Sequence, residues 1–235
     1  MAVFEFHTRV AYGDIDEDLS LTLCGAMGMM QEAAIVHSDT IGYSVRQIPQ
    51  TRLVWMLVQW RIRLMEPAKW NEDVTVRTWP RTMERATSDR EFEIIGSDGR
   101  QVAIGTSSWV LVNADSGRII RIPKEVVQAY DLTTDCVFED KPAEVQPCEG
   151  DPAYSFTVRR RDIDTNNHVN NRIYLHYADE ALGESTGKFK EVLVRYRKQL
   201  LLGQQAQCFV RKDGNRKIVE ICSEDGMVCA YIVYQ

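Results

Sequence analysis

The chain has 235 residues, of which 44% are hydrophobic and 26% are charged, and its net charge at pH 7 is −6. This balance is typical of a soluble globular protein and excludes disordered and collagen-like classes. The acidity of the chain, which has no long basic stripe with interleaved aromatic residues, argues against nucleic-acid binding. The length allows one large domain or two small ones.

The start of the chain and its cysteines point to the cytoplasm. Residues 1–6 alternate like a strand and lack the basic and apolar regions of a signal peptide. No apolar stretch is long enough to span a bilayer. The six cysteines show neither a CxxC pair nor a metal-ligand spacing. We therefore expect unpaired thiols in a cytoplasmic protein that needs no metal and no cofactor.

The first half predicts one long helix and a run of strands. A strand at 3–11 precedes a helix at 20–37 that is rich in glycine, alanine and methionine. Glycines inside such a helix indicate close packing, here against a sheet that wraps it. Four strands rich in Val, Ile, Thr and Trp follow, at 51–64, 73–83, 87–95 and 101–112. A short helix is predicted after them, at 123–129.

The second half restarts the pattern after an acidic, proline-containing stretch that reads as a linker. A strand at 154–158 leads into a polar loop at 159–169 and a helix at 170–183. Four strands follow, at 191–201, 206–212, 217–223 and 227–234. The predicted domains are therefore 1–130 and 152–235, joined by the linker 131–151.

The two halves repeat one pattern. Asp14-Ile15-Asp16 is identical to Asp162-Ile163-Asp164 at an offset of 148 residues. A strand, a helix and a series of antiparallel strands, present twice, predict an α+β fold of two helix-wrapped sheets.

The loop before the second helix carries the residues best suited to catalysis. It contains Asp164, Asn166 and His168, and then Asn170 and Asn171 at the predicted helix start. A helix N-terminus presents unpaired N–H groups and a positive dipole end, which suit an oxyanion. Each residue alone is more commonly a cap, a turn or a solvated residue. Together they supply an acid or base, a donor and an anion-binding end.

The first copy has lost this set of side chains. Asp18 and Ser20 stand where the second copy has Asn166 and His168, and the first loop has no histidine. One copy therefore keeps the candidate chemistry.

The segment DxNxHVNN at 164–171, followed by Tyr174, closely resembles the active-site segment of the acyl-acyl-carrier-protein (acyl-ACP) thioesterases. Shorter pieces agree in order: LVW at 53–55, WNEDV at 70–74, TSSWV at 106–110 and RIPKE at 121–125. The resemblance spans nearly the whole chain. It implies a tandem, or double, hotdog fold, in which each repeat is a long central helix wrapped by an antiparallel sheet. It also implies an enzyme of fatty acid biosynthesis that hydrolyses the acyl-ACP thioester to release free fatty acid.

Thioester hydrolysis needs an activated water and stabilisation of the carbonyl oxygen. We expect Asp164 to act as base or nucleophile, while Asn166 and His168 orient the water or the thioester. Alternatively, His168 protonates the leaving thiol. Backbone N–H groups near Asn170 would hold the oxygen.

One position departs from the family pattern. The family has a glutamate in a segment like Tyr-Arg-Arg-Glu, where this chain reads YRKQ at 196–199, and plant members have a cysteine where this chain has Leu200. Gln199 can orient a water, but its amide cannot take a proton. Either the glutamate is dispensable, or the activity is weak, or the chain has another role.

The resemblance assigns the acyl-chain pocket to the first half. The candidate lining residues are Met27, Met30, Trp55, Met56 and Trp60. Methionine suits an adaptable apolar slot, although ordinary core packing is the commoner role of each residue.

Positive charge collects around the candidate loop, and residues 151–235 hold 13 Lys and Arg against 11 Asp and Glu. These charges suit an acidic acyl carrier protein with its phosphopantetheine-linked acyl chain, although solvated strand faces explain them equally well. The candidate carrier-binding residues are Arg160, Arg161, Arg195, Arg197 and Lys198.

Three functions stay open. The first is hydrolysis of acyl-ACP, and the second is hydrolysis of acyl-CoA or another small acyl thioester. The third, suggested by Gln199, is a catalytically impaired protein that binds acyl chains or acyl carriers. The chain is a monomer, since the repeat supplies two copies, or a homodimer paired through sheet edges.

Overall fold

A computed structural model of the chain describes residues 3–142, 144–184 and 186–235. The chain divides after residue 141 into an amino-terminal and a carboxy-terminal unit. Each unit combines antiparallel strands with one main helix, so the fold is α+β. No helix among the described residues is long and apolar enough to cross a bilayer.

The amino-terminal unit contains five strands in the order β1-β3-β4-β5-β2, all paired antiparallel. The predicted elements are present, with an additional single turn of helix before β2. The elements are β1 (Phe4–Arg9), α1 (Leu23–Thr40), α2 (Ile48–Thr51), β2 (Leu53–Leu64), β3 (Asp73–Glu84), β4 (Thr87–Gly96), β5 (Gln101–Asn113) and α3 (Lys124–Ala129).

The long helix α1 begins later than its hydrophobic pattern predicts. Thr22 is the N-cap, because its Oγ1 accepts the Gly25 N–H at 3.0 Å. A Cβ on Gly25 would lie 2.7 Å from the Cβ of Asp14, so this glycine packs against the preceding turn and not, as expected, against a sheet. The close contact with the sheet is made by Met30, whose Sδ lies where a side chain on Gly105 of β5 would stand.

The carboxy-terminal unit has the same element order. Its strands are arranged β6-β8-β9-β10-β7, which is the order of the first sheet when β6 to β10 are matched to β1 to β5. The elements are β6 (Tyr154–Thr157), α4 (Ile173–Leu182), β7 (Glu191–Tyr196), β8 (Gln205–Asp213), β9 (Arg216–Ser223) and β10 (Val228–Tyr234).

Strand β7 is shorter than predicted. The N–H groups of Arg197 and Lys198 both point to the carbonyl oxygen of Cys229, at 2.8 and 3.3 Å. This shared acceptor ends the regular ladder, because one strand position now faces two residues. Gln199 and Leu200 therefore lie in the loop after β7 and not in the strand.

The segment predicted as a linker, 131–151, has no helix or strand among its described residues, yet its first part is packed on the amino-terminal sheet. Arg61, which is 2% exposed, donates to the Asp140 carboxylate at 2.6 Å and stacks on the Phe138 ring. Trp79 Nε1 donates to the Asp135 carbonyl oxygen at 2.9 Å. A buried guanidinium needs a counter-ion, and this segment supplies it.

We predict that Gly25→Ala destabilises the protein by about 1–3 kcal/mol. Alanine favours helix by about 1 kcal/mol over glycine, but its methyl group would overlap Asp14 in the preceding turn. Chemical denaturation of the wild type and the variant measures the difference. Glu32→Ala, at an exposed position of the same helix, is the control and should change stability little. A Gly25→Ala protein as stable as this control would contradict the packing described here.

Candidate active site

The loop between β6 and α4 is closed by short-range hydrogen bonds. The Asp164 N–H donates to the His168 carbonyl oxygen at 2.9 Å, and the Asn167 N–H donates to the Asp164 carbonyl oxygen at 3.1 Å. The Asp164 carboxylate accepts the Asn166 N–H at 2.8 Å. Asn167 has a φ of 62°, a left-handed conformation that asparagine tolerates. The structure thus brings Asp164, Asn166 and His168 together in one tight turn.

The side chains of this turn face outward to different degrees. Asp164 and His168 are half-buried, and Asn166 is exposed. Among the described residues, the side chains of Asn166 and His168 have no hydrogen-bond partner. Their polar atoms therefore remain available to a substrate or a water. The described residues contain no group of His, Cys, Asp and Glu arranged to hold a metal ion.

A buried aspartate and a tyrosine that sequence reasoning missed support the turn. Asp162, which is 5% exposed, accepts the Tyr177 hydroxyl at 2.8 Å and the Arg159 N–H at 2.7 Å. Burial, and then the Asp162 carboxylate, raise the pKa of Tyr177, so its hydroxyl stays protonated as a donor. The sequence signal was the spacing of Tyr174 and Tyr177, three residues apart on one helix face.

Gln199 lies next to the turn through its neighbour in the chain. The Val169 N–H donates to the Leu200 carbonyl oxygen at 2.9 Å, and the Leu200 N–H donates to the Tyr174 hydroxyl at 3.1 Å. These two bonds fix the backbone beside Gln199, whose side chain is exposed. Gln199, the fourth candidate catalytic residue, thus lies next to a backbone segment that is hydrogen-bonded to the turn holding the other three.

The helix start differs from the prediction and changes which N–H groups are available. Helix α4 begins at Ile173. The Asn170 N–H donates to the Asp162 carbonyl oxygen at 2.8 Å, and the Asn170 side chain accepts the Arg172 N–H at 3.0 Å. Asn170 therefore lies in the turn before the N-cap residue Arg172, and its N–H is already bonded. The Asn171 N–H has no acceptor among the described residues, and the Asn171 carbonyl oxygen is held by the Tyr196 hydroxyl at 2.8 Å.

The five predicted pocket residues all belong to the amino-terminal unit and fall into two groups. Met27, Met30 and Trp60 are fully buried, and the Trp60 ring lies 4.8 Å from the Phe92 ring, centre to centre. Trp55 and Met56 are half-buried. None of the five lines the cavity of about 240 Å³ in this unit, which is bordered by Arg77, Trp79, Glu93, Gln101, Asp135 and Cys136, among others.

The five predicted carrier-binding residues border the turn on both sides along the chain. Arg160 and Arg161 lie in a short turn of helix just before it and are exposed, as is Arg197 after β7. Lys198 pairs with Asp225 at 2.9 Å. Burial, and then the charge of Arg197, lower the pKa of Arg195. These five residues, called the charged rim below, place positive charge before and after the turn in the chain.

Comparison with known proteins places the chain among thioesterases. The models of the acyl-ACP thioesterase N-terminal and C-terminal domains match residues 2–130 and 146–232. The chain is 27% identical to the chloroplastic oleoyl-acyl carrier protein thioesterase 2 of Arabidopsis thaliana, over 73% of this chain and 52% of that protein. The chain therefore spans about half the length of this relative.

Solved structures show the same fold. An acyl-ACP thioesterase from Bacteroides thetaiotaomicron aligns with a TM-score of 0.89 at 20% identity, over 99% of this chain and 97% of that one. The 12:0-ACP thioesterase from Umbellularia californica aligns with a TM-score of 0.87 at 20% identity, over 100% and 97%. Since the two domain models together match most of its length, the chain belongs to the acyl-ACP thioesterase family.

Proposed function

We propose that this chain hydrolyses the thioester of fatty acyl-ACP and releases a free fatty acid. The observation that carries the proposal is the closed turn that holds Asp164, Asn166 and His168 beside the available N–H of Asn171. Membership of the acyl-ACP thioesterase family supports the substrate. We also propose a double hotdog, with domains 1–130 and 152–235 around the connecting segment 131–151. The repeated strand order of the two units supports it.

The reaction uses a base, an orienting amide and a donor for the carbonyl oxygen. Asp164 accepts a proton from water as the water oxygen attacks the thioester carbon. Asn166 and His168 orient the water and the thioester, and the Asn171 N–H stabilises the tetrahedral oxyanion. The carbon–sulfur bond then breaks, and the leaving thiolate takes a proton from Asp164 or His168. The products are a fatty acid and the carrier thiol.

The acyl pocket and the carrier-binding surface are proposed to consist of the residues predicted from the sequence. Met27, Met30, Trp55, Met56 and Trp60 are proposed to contact the acyl chain, which suits their apolar character. The exposed arginines at the rim are proposed to attract the acidic carrier protein.

We predict that Asp164→Asn lowers the rate of thiol release from acyl-ACP by at least about 100-fold, because an amide cannot accept the proton from water. Release is followed with a thiol-reactive dye. Asp16→Asn is the matched control, since Asp16 occupies the equivalent place in the first copy of the turn, and it should keep near-normal turnover in a folded protein. Equal rates for Asp164→Asn and the wild type would exclude the assigned base.

Gln199→Glu tests the third reading, that the chain binds acyl groups but hydrolyses them poorly. A carboxylate beside the turn adds a second proton acceptor, so we predict a rise in kcat by about tenfold or more. Gln207→Glu introduces the same charge at an exposed position of β8 and should leave kcat unchanged. If kcat stayed the same or fell in Gln199→Glu, position 199 would have no catalytic part.

The charged rim is tested by substrates that differ only in the carrier. The double variant Arg160→Ala, Arg161→Ala should raise KM for acyl-ACP by about three- to tenfold at low salt, because steering by exposed charges is screened by ions. KM for the uncharged acyl-pantetheine should not change. Lys190→Ala, Lys212→Ala removes the same charge at exposed positions elsewhere in the unit. A rise in KM for both substrates, or in both variants alike, would contradict a specific carrier surface.

A further inference from the structure

The exposed large apolar side chains of the carboxy-terminal unit are concentrated on two turns. Leu201 and Leu202 are 43% and 48% exposed, and Met227 is 54% exposed. No other Val, Ile, Leu, Met or aromatic side chain among the described residues of this unit is as exposed. Scattered single apolar residues need no explanation, but a group of three does. These three residues are called the apolar tip below.

The first turn holds its two leucines outward. The Gln204 N–H donates to the Leu201 carbonyl oxygen at 3.1 Å, and the Leu201 N–H donates to the Gln204 side chain at 2.8 Å. Gly203 has a φ of 80°, which a tight turn requires at this position. Leu200, the preceding residue, is fully buried. The turn is therefore fixed by its own hydrogen bonds and leaves the leucines in solvent.

The second turn lies beside the first. The Glu224 N–H donates to the carbonyl oxygen of Gln205, the residue after the first turn, at 3.1 Å. Lys198 Nζ pairs with the Asp225 carboxylate at 2.9 Å. Met227 follows two residues later in the same turn. These two links bring the three residues of the apolar tip onto neighbouring parts of the surface.

Three consecutive arginines adjoin the first turn. The Val158 N–H donates to the Gln204 carbonyl oxygen at 2.9 Å, and the Gly203 N–H donates to the Val158 carbonyl oxygen at 3.1 Å. Residues 159–161, which follow Val158 directly, are all arginine and all exposed. The paired hydrogen bonds therefore place a basic run next to the leucines.

The surface around the apolar tip carries a net positive charge. Its segments contain five Lys and Arg against three Asp and Glu, at 158–162, 197–205 and 223–227. Of the acids, Asp162 is buried and Asp225 is paired with Lys198. The exposed charge beside the tip is therefore mainly that of arginine, although the whole chain carries −6.

We propose that the apolar tip inserts into the surface of an anionic lipid bilayer while the arginines at 159–161 contact the lipid phosphates. Apolar side chains next to basic residues are typical of proteins that lie on such membranes. A stable protein interface buries about 800 Å² on each partner, far more than three side chains supply, whereas a bilayer needs no matching surface.

The attachment would place the candidate active site beside the lipid. The Leu200 carbonyl oxygen, one residue before the tip, accepts the Val169 N–H of the candidate turn at 2.9 Å. Arg160 and Arg161 also belong to the charged rim, so a bilayer and an acidic carrier would compete for them. Lipid binding itself requires no thioester and does not rest on the proposed function.

The test is co-sedimentation of the full chain with vesicles of phosphatidylcholine, alone or with about one quarter phosphatidylglycerol. We expect at least about tenfold tighter binding to the anionic vesicles, because each basic residue near such a surface adds attraction. The double variant Leu201→Ser, Leu202→Ser should weaken this binding by about tenfold or more, since it removes the inserted apolar groups. Ile119→Ser, Leu132→Ser removes exposed apolar side chains of the other unit and should bind like the wild type.

Three results would overturn the proposal. They are equal binding of the wild type to neutral and anionic vesicles, no binding to either, and undiminished binding by Leu201→Ser, Leu202→Ser. If that variant instead raised KM for acyl-ACP while the wild type ignored vesicles, the tip would belong to the carrier surface. The comparison of vesicles needs no variant, so it decides the question even if the variant fails to fold. Failure here leaves the proposed hydrolysis untouched, and Asp164→Asn should bind vesicles normally whether or not it hydrolyses thioesters.

Discussion

The candidate site depends on a backbone frame that the chain builds twice. In the second copy, Asp164 closes the turn through its N–H, its carbonyl oxygen and its carboxylate. In the first copy Asp16 does the same, 148 residues earlier: its N–H donates to Ser20 at 2.9 Å, its carbonyl accepts from Leu19 at 3.1 Å and its carboxylate accepts from Asp18 at 3.0 Å. Leu19 even adopts a φ of 58°, which leucine rarely does. The hydrogen bonds of the turn therefore set its backbone conformation in both copies, although the two copies carry different side chains.

The two copies differ in what the frame presents. In the first, Lys69 Nζ donates to the Ser20 hydroxyl at 2.7 Å and to the Asp18 carbonyl oxygen at 3.1 Å, so the polar groups of the turn are engaged. In the second, the side chains at the equivalent places, Asn166 and His168, have no partner among the described residues. The polar groups of the first turn are hydrogen-bonded within the protein, so this turn has a structural role. The other presents two side chains without a protein partner at the surface, where a substrate or a water can reach them.

Much of this organisation was readable from the sequence, because hydrophobic periodicity and turn residues are local signals. The strands, both long helices and the polar turn at Asp164 were predicted in this way. The misplaced boundaries depend on contacts outside the elements themselves. Asn170 is bonded to Asp162 and lies before α4, and β7 ends where Cys229 accepts two N–H groups. The packing of 131–140 depends on Arg61, a distant residue whose need for a counter-ion no local pattern reveals.

The most direct test of the proposed function is thiol release by the intact chain from a ladder of acyl-ACP substrates, beside acyl-CoA esters of the same chain lengths. We expect measurable hydrolysis with a higher kcat/KM for the protein carrier, since the charged rim favours an acidic partner. The preferred length would identify the acyl group. A folded protein that releases no thiol from any of these substrates would contradict the assignment of a hydrolase. A clear preference for acyl-CoA would contradict the proposal that acyl carrier protein carries the substrate.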